Sequence, residues 1–439
     1  MRTAAGTASN SRSSQGDPPL TPTENISGEP GTADPRDARA TAGVGEHPAT
    51  VECALPVVRL LDQDGRRLQD DRFGPWVEDL DDDAVAQIYR SMLRSRRLDE
   101  MATSLQRQGQ MALWPPLRGQ EAAQVGSARA VGERDFVFPS YREHAVILER
   151  GIPAGQMMSQ FRGHKASSWK PSETRTHVYS LVLGSQVPHA VGYAMGIDQD
   201  RRLAEDAGEP APAEEAVLVY FGDGSSTQGE VHESMVFAAS YDAPVVFFVQ
   251  NNQWAISVPF STQSRVPLAA RAAGYGFEGV RVDGNDPLAV LAVTRWAMAE
   301  ARQGRGPVMI EAETFRLGAH TTADDPTKYR STAEEQRWAA RDPLLRTRAL
   351  LEGEYGVGQQ WFDELEEETT AWIKSTRTEI LAGRPEDLEQ RFDVAYAAEH
   401  PLVDEERQWY LDYQSSFLPD HDETPAGSAG HDAAQEDRA

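Results

Sequence analysis

The chain of 439 residues is predicted to fold as an α/β protein in which helices flank a parallel sheet. Three short apolar runs, at 216–221, 244–249 and 308–312, are typical of buried parallel strands. Helical stretches at 231–240 and 288–301 separate them, so strands and helices alternate along the chain. Crossovers of this kind join strands that run in the same direction. We therefore expect catalytic loops at the carboxyl ends of the strands.

A long amphipathic helix is predicted at 83–108, where it opens the domain. The apolar residues Val85, Ile88, Met92 and Met101 recur at roughly helical spacing. This periodicity indicates a helix with one face turned toward the core.

The two ends of the chain differ in composition from the middle. Residues 1–50 form a Ser/Thr/Ala/Gly/Pro tract without periodicity, and residues 415–439 are equally polar, which is typical of disorder. We therefore predict one domain, 51–414, between two disordered tails. The acidic stretch 198–215 contains two prolines and one glycine and is predicted to be a surface excursion before the first strand.

Composition excludes several classes of function. The formal net charge of −26 argues against a nucleic-acid partner, because phosphate binding needs clustered Lys and Arg. The single cysteine, Cys53, excludes an internal disulfide framework, and no Cys/His cluster has zinc-site spacing. No signal peptide, transit peptide or membrane-spanning stretch is recognisable. We expect a cytoplasmic protein whose partners are small molecules and other proteins.

Two short motifs follow the first two predicted strands. The sequence GDG stands at 222–224 and NN at 251–252. Glycine-rich turns before a helix let backbone N–H groups approach a diphosphate. Magnesium prefers oxygen ligands, and Asp223, Asn252 and the Trp254 carbonyl could supply them. Either motif alone is a common turn, but the pair at neighbouring strand ends predicts a magnesium-diphosphate site.

The sequence from Val57 to about Arg341 resembles the alpha subunits of thiamine-diphosphate-dependent 2-oxo acid dehydrogenases, in particular the branched-chain type. The GDG and NN motifs are similar to the thiamine-diphosphate fingerprint, and five further motifs fall in the family's order. These are QRQGQ at 106–110, GQEA at 119–122, SYREH at 140–144, QVPHAVG at 186–192 and FRLGAH at 315–320. The resemblance implies a thiamine-diphosphate-binding fold, with thiamine diphosphate and Mg²⁺ as cofactors.

The resemblance also implies the roles of individual residues. Arg142 would line the diphosphate, to which its planar guanidinium can donate twice. His320 would lie over the cofactor as the catalytic residue, because a group that titrates near neutrality can pass a proton. Ser140 and Gln250 stand where branched-chain relatives often have Gln and Arg. The implied cofactor-binding residues are Tyr141, Arg142, Leu183, Gly222, Asp223, Gly224, Ser225, Asn252 and His320.

A second cation is implied in the loop before residue 187. Ser180, Val182, Ser185 and Gln186 fall where branched-chain relatives bind potassium through hydroxyl, amide and backbone oxygens. The alternative is a loop capped by its own side chains.

The implied reaction is oxidative decarboxylation of a branched-chain 2-oxo acid of the 3-methyl-2-oxobutanoate type. The acyl group then passes to the lipoyl group of an acyltransferase component. In the family a glutamate from a second domain activates the cofactor, and this chain has no room for a second α/β domain. The resemblance therefore implies a beta subunit that carries the glutamate, in a two-alpha, two-beta heterotetramer.

Other functions remain open at this point. Pyruvate or acetoin could replace the branched-chain substrate. A nicotinamide-dependent Rossmann oxidoreductase is disfavoured, because Thr227 stands where its fingerprint has Gly or Ala and Asp242 precedes the second strand. An idle scaffold is disfavoured because Asp223, Asn252, Arg142 and His320 are all retained. The polar loop 318–331 is predicted to become ordered only when cofactor binds.

Overall fold

Six parallel strands form the central sheet of the structure, a computed structural model, in the order β1-β7-β8-β4-β3-β2. The structure describes residues 55–163, 169–210, 212–383, 390–393 and 396–417. The strands are β1 (Val57–Val58), β2 (Phe136–Phe138), β3 (Val217–Gly222), β4 (Val245–Asn251), β5 (Trp254–Ala255), β6 (Val258–Pro259), β7 (Glu278–Asp283) and β8 (Val308–Glu313). Strands β5 and β6 form a separate antiparallel hairpin. The predicted parallel sheet is confirmed. The predicted tail 1–50, Cys53 and all of the predicted tail 415–439 except 415–417 lie outside the described residues, and Ser415 is the last residue of a helix.

Helices cover both faces of this sheet. The helices of the described residues are α1 (Asp82–Arg107), α2 (Glu121–Ala128), α3 (His144–Glu149), α4 (Ala154–Ser159), α5 (Pro171–Thr174), α6 (Gln186–Ala207), α7 (Gly229–Ser240), α8 (Phe260–Gln263), α9 (Arg271–Tyr275), α10 (Pro287–Arg302), α11 (Thr332–Ala339), α12 (Pro343–Gly353), α13 (Gln359–Ala382), α14 (Gln390–Asp393) and α15 (Pro401–Ser415). The predicted helices at 83–108, 231–240 and 288–301 are confirmed as α1, α7 and α10. The Asp81 side chain caps α1 by accepting from the Ala84 N–H, and Asp286 caps α10 in the same way.

Strands β3 and β4 alternate their side chains between two cores. Val217, Val219 and Phe221 belong to a core that includes residues of α6 and α7. Leu218 and Tyr220 belong to the core on the opposite face, which includes residues of α1, α2 and α10. Because both faces of the sheet are covered, these strands are apolar throughout, and this is the pattern that made them predictable.

Strand β7 was not predicted, although it pairs with β8 in the interior of the sheet. Its sequence EGVRVD contains two acidic residues and one arginine, and its first residues are partly exposed. Such a strand lacks even the short apolar run VMI that begins β8, and the longer runs VLVYF and VVFFV of β3 and β4.

The predicted surface excursion at 198–215 is wrong for its first part. Helix α6 continues to Ala207 and ends at Gly208, whose φ of 67° closes the helix in the left-handed conformation. The charges lie on the solvent side of the helix, where Asp198 and Arg202 form an ion pair one turn apart. A charged composition therefore marked an exposed helical face there and not a loop.

None of the helices in the described part of the chain has the length and apolar character needed to cross a membrane.

Candidate active site

The two predicted motifs lie at adjacent strand ends. Gly222, the last residue of β3, pairs in register with Gln250 of β4. Asp223 and Asn252 follow directly, and both are buried. The parallel arrangement thus brings residues 222–224 and 251–252 to the same edge of the sheet.

A cavity of about 660 Å³ opens at this edge. It is lined by every residue that the sequence assigned to the cofactor or to magnesium. These are Tyr141, Arg142, Leu183, Gly222, Asp223, Gly224, Ser225, Asn252, Trp254 and His320. Other lining residues, among them Gln120, Glu143, Phe161 and Arg316, were not assigned on the sequence.

The Asp223 carboxyl group suits a cation. Burial raises its pKa, although its Oδ2 accepts a hydrogen bond from Gln263 Nε2 at 2.8 Å. A buried carboxylate is stabilised when a cation approaches it, so this position fits a magnesium ligand. Among the described residues no group of three or more His, Cys, Asp or Glu forms a metal cluster. The fit therefore depends on one carboxylate together with amide and carbonyl oxygens.

The other two predicted magnesium ligands already have hydrogen bonds. Asn252 Oδ1 accepts from the Trp254 N–H at 3.2 Å, while Asn252 Nδ2 donates to Gln120 Oε1 at 3.2 Å. The Trp254 carbonyl accepts from Arg316 Nη1 at 3.0 Å. A carbonyl oxygen has two lone pairs, so this bond leaves one for a cation.

Glycine is required in the diphosphate turn at position 224. A Cβ atom there would lie 2.9 Å from the Ala255 Cβ, in the β5–β6 hairpin. A side chain at position 224 would therefore require the hairpin to shift away from the turn. This close approach is the local reason for the second glycine of the GDG motif.

The uncharged side chain of Gln250 adds no positive charge to the part of the cavity predicted to bind the diphosphate. Gln250 Nε2 donates to Glu143 Oε1 at 2.5 Å, and Gln250 Oε1 accepts from Gln124 Nε2 at 3.1 Å. Burial raises the pKa of Glu143. The cations that line the cavity are Arg142 and Arg316.

His320 is held by both of these arginines. Arg142 Nη2 and Arg316 Nη1 each lie 3.3 Å from His320 Nδ1. Burial, with the two positive charges, lowers the pKa of His320 to about 3. Two guanidinium donors require Nδ1 to be an acceptor, which places the single ring proton on Nε2. This lowered pKa contradicts the expectation that the group titrates near neutrality.

The loop 318–331 is held by polar contacts. Asp324 accepts the His320 N–H at 2.8 Å and the Tyr329 hydroxyl, and Thr322 N donates to the Trp114 carbonyl at 2.9 Å. The buried Arg330 guanidinium donates to backbone carbonyls of 316–318. Ordering of this loop by cofactor stays a prediction.

The four predicted potassium residues lie in and just before the first turn of α6. Ser185 Oγ donates to the Val182 carbonyl at 2.9 Å, which is the bond expected of a loop capped by its own side chain. Gln186 Nε2 donates to the Tyr220 carbonyl at 2.7 Å, and the Ser180 N–H donates to the Ser140 carbonyl. The self-capped alternative thus has a hydrogen bond in the structure to support it.

Apolar side chains surround the mouth of the cavity and remain exposed. Leu181 is 73% exposed and Val182 71%, and neighbouring apolar residues are also exposed. The group named here the apolar rim comprises four exposed residues that line the cavity, Leu113, Leu181, Leu183 and Ile256, together with Val182 and Val258, which are exposed and lie within two residues of them in the chain. Clusters of exposed apolar residues are typical of surfaces that bind another protein.

Arg316 and Gln263 are site residues that sequence reasoning missed. Arg316 lies inside the FRLGAH motif, four residues before His320, so the motif itself contained the signal. Gln263 lies 40 residues after Asp223 in a segment without a motif, and only the folded chain brings the two together. Contacts of this kind have no local sequence signature.

Comparison with known proteins agrees with this geometry. The family model described as "Dehydrogenase E1 component" matches residues 89–382. The 3-methyl-2-oxobutanoate dehydrogenase subunit alpha of Mycobacterium tuberculosis is 42% identical over 359 residues, covering 81% of this chain and 93% of the relative. The pyruvate dehydrogenase E1 component subunit alpha of Bacillus subtilis is 39% identical, covering 72% and 87%, and that of Staphylococcus aureus is 33% identical, covering 82% and 94%. The chain therefore belongs to the dehydrogenase E1 component family, among the alpha subunits of thiamine-diphosphate-dependent 2-oxo acid dehydrogenases.

Proposed function

We propose that the substrate is a branched-chain 2-oxo acid of the 3-methyl-2-oxobutanoate type, whose acyl group passes to the lipoyl group of an acyltransferase component. The observation that carries the reaction class is that all of the predicted cofactor residues line one and the same cavity. The substrate assignment is supported by the relative from M. tuberculosis, which is 42% identical and is named for 3-methyl-2-oxobutanoate.

In this proposal Mg²⁺ is held by Asp223, Asn252 and the Trp254 carbonyl. Backbone N–H groups of residues 222–225 and the Arg142 guanidinium would bind the diphosphate, with Tyr141 and Leu183 lining its pocket. The buried Asp223 carboxyl group and the close approach of Ala255 to Gly224 support this assignment. Thiamine diphosphate supplies the nucleophilic carbon and the electron sink for decarboxylation when it is bound.

His320 would act as a neutral hydrogen-bond donor at Nε2. Its Nδ1 is engaged by two arginines, and its lowered pKa keeps the ring uncharged at physiological pH. A neutral imidazole with its proton on Nε2 can donate a hydrogen bond to a substrate oxygen. This bond stabilises the negative charge that develops on that oxygen during the reaction. Arg142 also donates to the Pro116 carbonyl at 2.6 Å, which fixes the guanidinium that orients the ring.

The cavity would be completed by a beta subunit that carries the activating glutamate, in a two-alpha, two-beta heterotetramer. The exposed apolar rim supports this proposal, because it lies at the open side of the cavity. The structure describes one parallel sheet, and all of its strands belong to the domain that holds the cavity. Cytoplasmic location and a potassium ion bound by Ser180, Val182, Ser185 and Gln186 are parts of the same proposal, supported by the family resemblance.

Pyruvate is the second candidate substrate. It is favoured by the relatives from B. subtilis and S. aureus, which are named pyruvate dehydrogenase subunits and share 39% and 33% identity with this chain. Acetoin has no comparable support among these relatives. The nicotinamide-dependent alternative does not agree with the family to which the chain belongs.

The test is steady-state decarboxylation by the chain reconstituted with its beta subunit, thiamine diphosphate and Mg²⁺. We expect kcat/KM for 3-methyl-2-oxobutanoate to exceed that for pyruvate, and the alpha chain alone to be nearly inactive. A preference for pyruvate would replace the substrate assignment. Full activity of the alpha chain by itself would overturn the two-subunit proposal.

A further inference from the structure

Gln263 joins the β5–β6 hairpin region to the predicted metal site. It is the last residue of α8, which follows the hairpin directly. Its Nε2 donates to Asp223 Oδ2 at 2.8 Å and lies 3.3 Å from the Val258 carbonyl. Asp223 is 2% exposed and Gln263 is half-buried, so this hydrogen bond is partly shielded from water.

The environment of Gln263 is poorly explained by packing alone. Its Oε1 is buried and has no hydrogen-bond partner among the described residues. Burying an unsatisfied carbonyl oxygen costs stability, and an apolar side chain of similar length would avoid that cost. The compensating interaction is the bond from Nε2 to a buried carboxyl group, which is stronger than a bond between neutral groups.

We propose that Gln263 is a positioning residue for the metal-binding carboxylate. By holding Oδ2 of Asp223, it fixes the rotation of the carboxyl group and leaves Oδ1 as the oxygen presented to the cation. This inference rests on the proposed function, since it assumes that Asp223 binds Mg²⁺. Residues that hydrogen-bond to a metal ligand orient the ligand and tune metal affinity.

The second predicted side-chain ligand is fixed in a complementary way. Gln120 Oε1 accepts from Asn252 Nδ2 at 3.2 Å, so the amide nitrogen is turned toward Gln120 and away from the position a cation needs. One glutamine thus donates to the carboxylate ligand and another accepts from the amide ligand. Each bond leaves a ligand oxygen available, which is the arrangement that a hard cation requires.

The experiment uses the assembled alpha–beta enzyme with thiamine diphosphate and Mn²⁺ as a paramagnetic substitute for Mg²⁺. Free and bound Mn²⁺ are measured by electron paramagnetic resonance for the wild type and for Gln263→Met, which keeps the length of the side chain and removes the donor. We expect metal affinity to fall by about 10- to 100-fold with the number of sites unchanged. Activity at saturating metal should largely recover, because the defect lies in metal binding.

Gln253→Met is the matched control. Gln253 belongs to the same hairpin region and is half-buried, but its amide donates to Asn251 and not to Asp223. We expect this variant to keep the metal affinity of the wild type. An equal loss in both variants would overturn the inference, because stability of the hairpin would then set the affinity.

A second variant keeps the test decisive if Gln263→Met fails to fold. Gln263→Asn keeps the amide but shortens its reach by one methylene, and it should lose affinity like Gln263→Met. Wild-type affinity in both variants would overturn the positioning role while leaving the proposed function in place. Absence of Mn²⁺ binding in the wild type with cofactor present would instead contradict the metal assignment on which the inference rests.

Discussion

The two ends of the cavity differ in how far this chain completes them. At the sheet edge, Asp223, Asn252 and Arg142 are buried and connected by hydrogen bonds to residues of the same chain. At the mouth, Leu181 and Val182 are more than two-thirds exposed. Polar groups at the inner end have hydrogen-bond partners within this chain, whereas apolar side chains at the outer end are not covered by its described residues.

This difference separates two tasks within one site. Buried polar groups are expensive unless their partners are in place, so the chain that binds the diphosphate must fix those partners itself. Apolar surface can remain exposed until another protein covers it, and it then contributes to association. We infer that the inner end determines cofactor binding and the outer end determines partner binding.

Substitution of Asp223 should have the largest effect on the inner end. Asp223→Asn removes the buried negative charge, and we expect Mg²⁺-dependent affinity for thiamine diphosphate to fall about 100-fold or more, the scale of losing one partner of a buried ion pair. Isothermal titration of the assembled enzyme measures it. Asp242→Asn is the control, because Asp242 lies in the turn before β4 with a φ of 49°, a conformation that asparagine also tolerates. Equal cofactor affinity in the wild type and Asp223→Asn would remove Asp223 from the metal site.

The inner strands were predictable because their surroundings impose a simple rule. Strands β3, β4 and β8 are buried on both faces, so each one contains an apolar run, although Glu311 interrupts that of β8 after three residues. Strand β7 pairs with β8 in the same sheet but contains Arg281, which forms an ion pair with Glu313 of β8. That strand was missed because an ion pair across two strands leaves no pattern in either segment alone.

The site shows a similar division. Asp223 and Asn252 could be found because each follows a recognisable strand and belongs to a motif. The pKa of His320 could not be predicted, because it depends on burial and on Arg142, which lies 178 residues away in the chain. Spatial neighbours, and not the residue type, decide that this histidine is neutral.

Replacement of His320 tests whether a neutral hydrogen-bond donor at Nε2 is sufficient for the reaction. His320→Leu removes the donor, and we expect kcat to fall by about 100- to 10,000-fold, the usual scale for loss of a proton-donating group. His320→Gln keeps an N–H near the position of Nε2 and should retain more activity than His320→Leu. Equal rates in the two variants would show that the donor at Nε2 has no role.

His144, two residues after Arg142, provides a pH-dependent test of a buried polar group beside the cavity. Burial lowers the pKa of His144 to about 3, while its Nδ1 and Nε2 are bonded to the Tyr179 hydroxyl and the Pro115 carbonyl. The unfolded chain takes up a proton below its ordinary pKa of about 6.5, whereas the folded chain does not, so stability from the neutral ring is present above that pH and is lost as the pH falls toward 3. At pH 5 this loss amounts to about 2 kcal/mol.

The variant for this test is His144→Phe, which keeps a ring against Trp114, stacked at 4.0 Å in the wild type. Urea unfolding gives the free energy of unfolding of each protein at pH 7.5 and pH 5. The wild-type value minus the His144→Phe value should be smaller at pH 5 by about 2 kcal/mol. A difference that grows on acidification would mean that the folded protein binds the proton, contrary to the lowered pKa.

The smallest expected effect concerns the apolar rim. Leu181→Asp places a charge on the most exposed of the rim residues, and we expect the affinity for the beta subunit to fall about tenfold, since burial of a leucine contributes roughly 1.5–3 kcal/mol and the rim covers only part of an interface.

Leu203→Asp is the matched control. Leu203 is also exposed, at 55%, but it lies about 25 Å along α6 from the helix's first turn. Sedimentation of alpha–beta mixtures gives both affinities. Cofactor affinity of the assembled Leu181→Asp enzyme should stay near that of the wild type, because the buried inner end is unchanged. If Leu181→Asp associates as tightly as Leu203→Asp, the beta subunit does not cover the rim, and the two ends of the cavity do not divide the tasks as inferred.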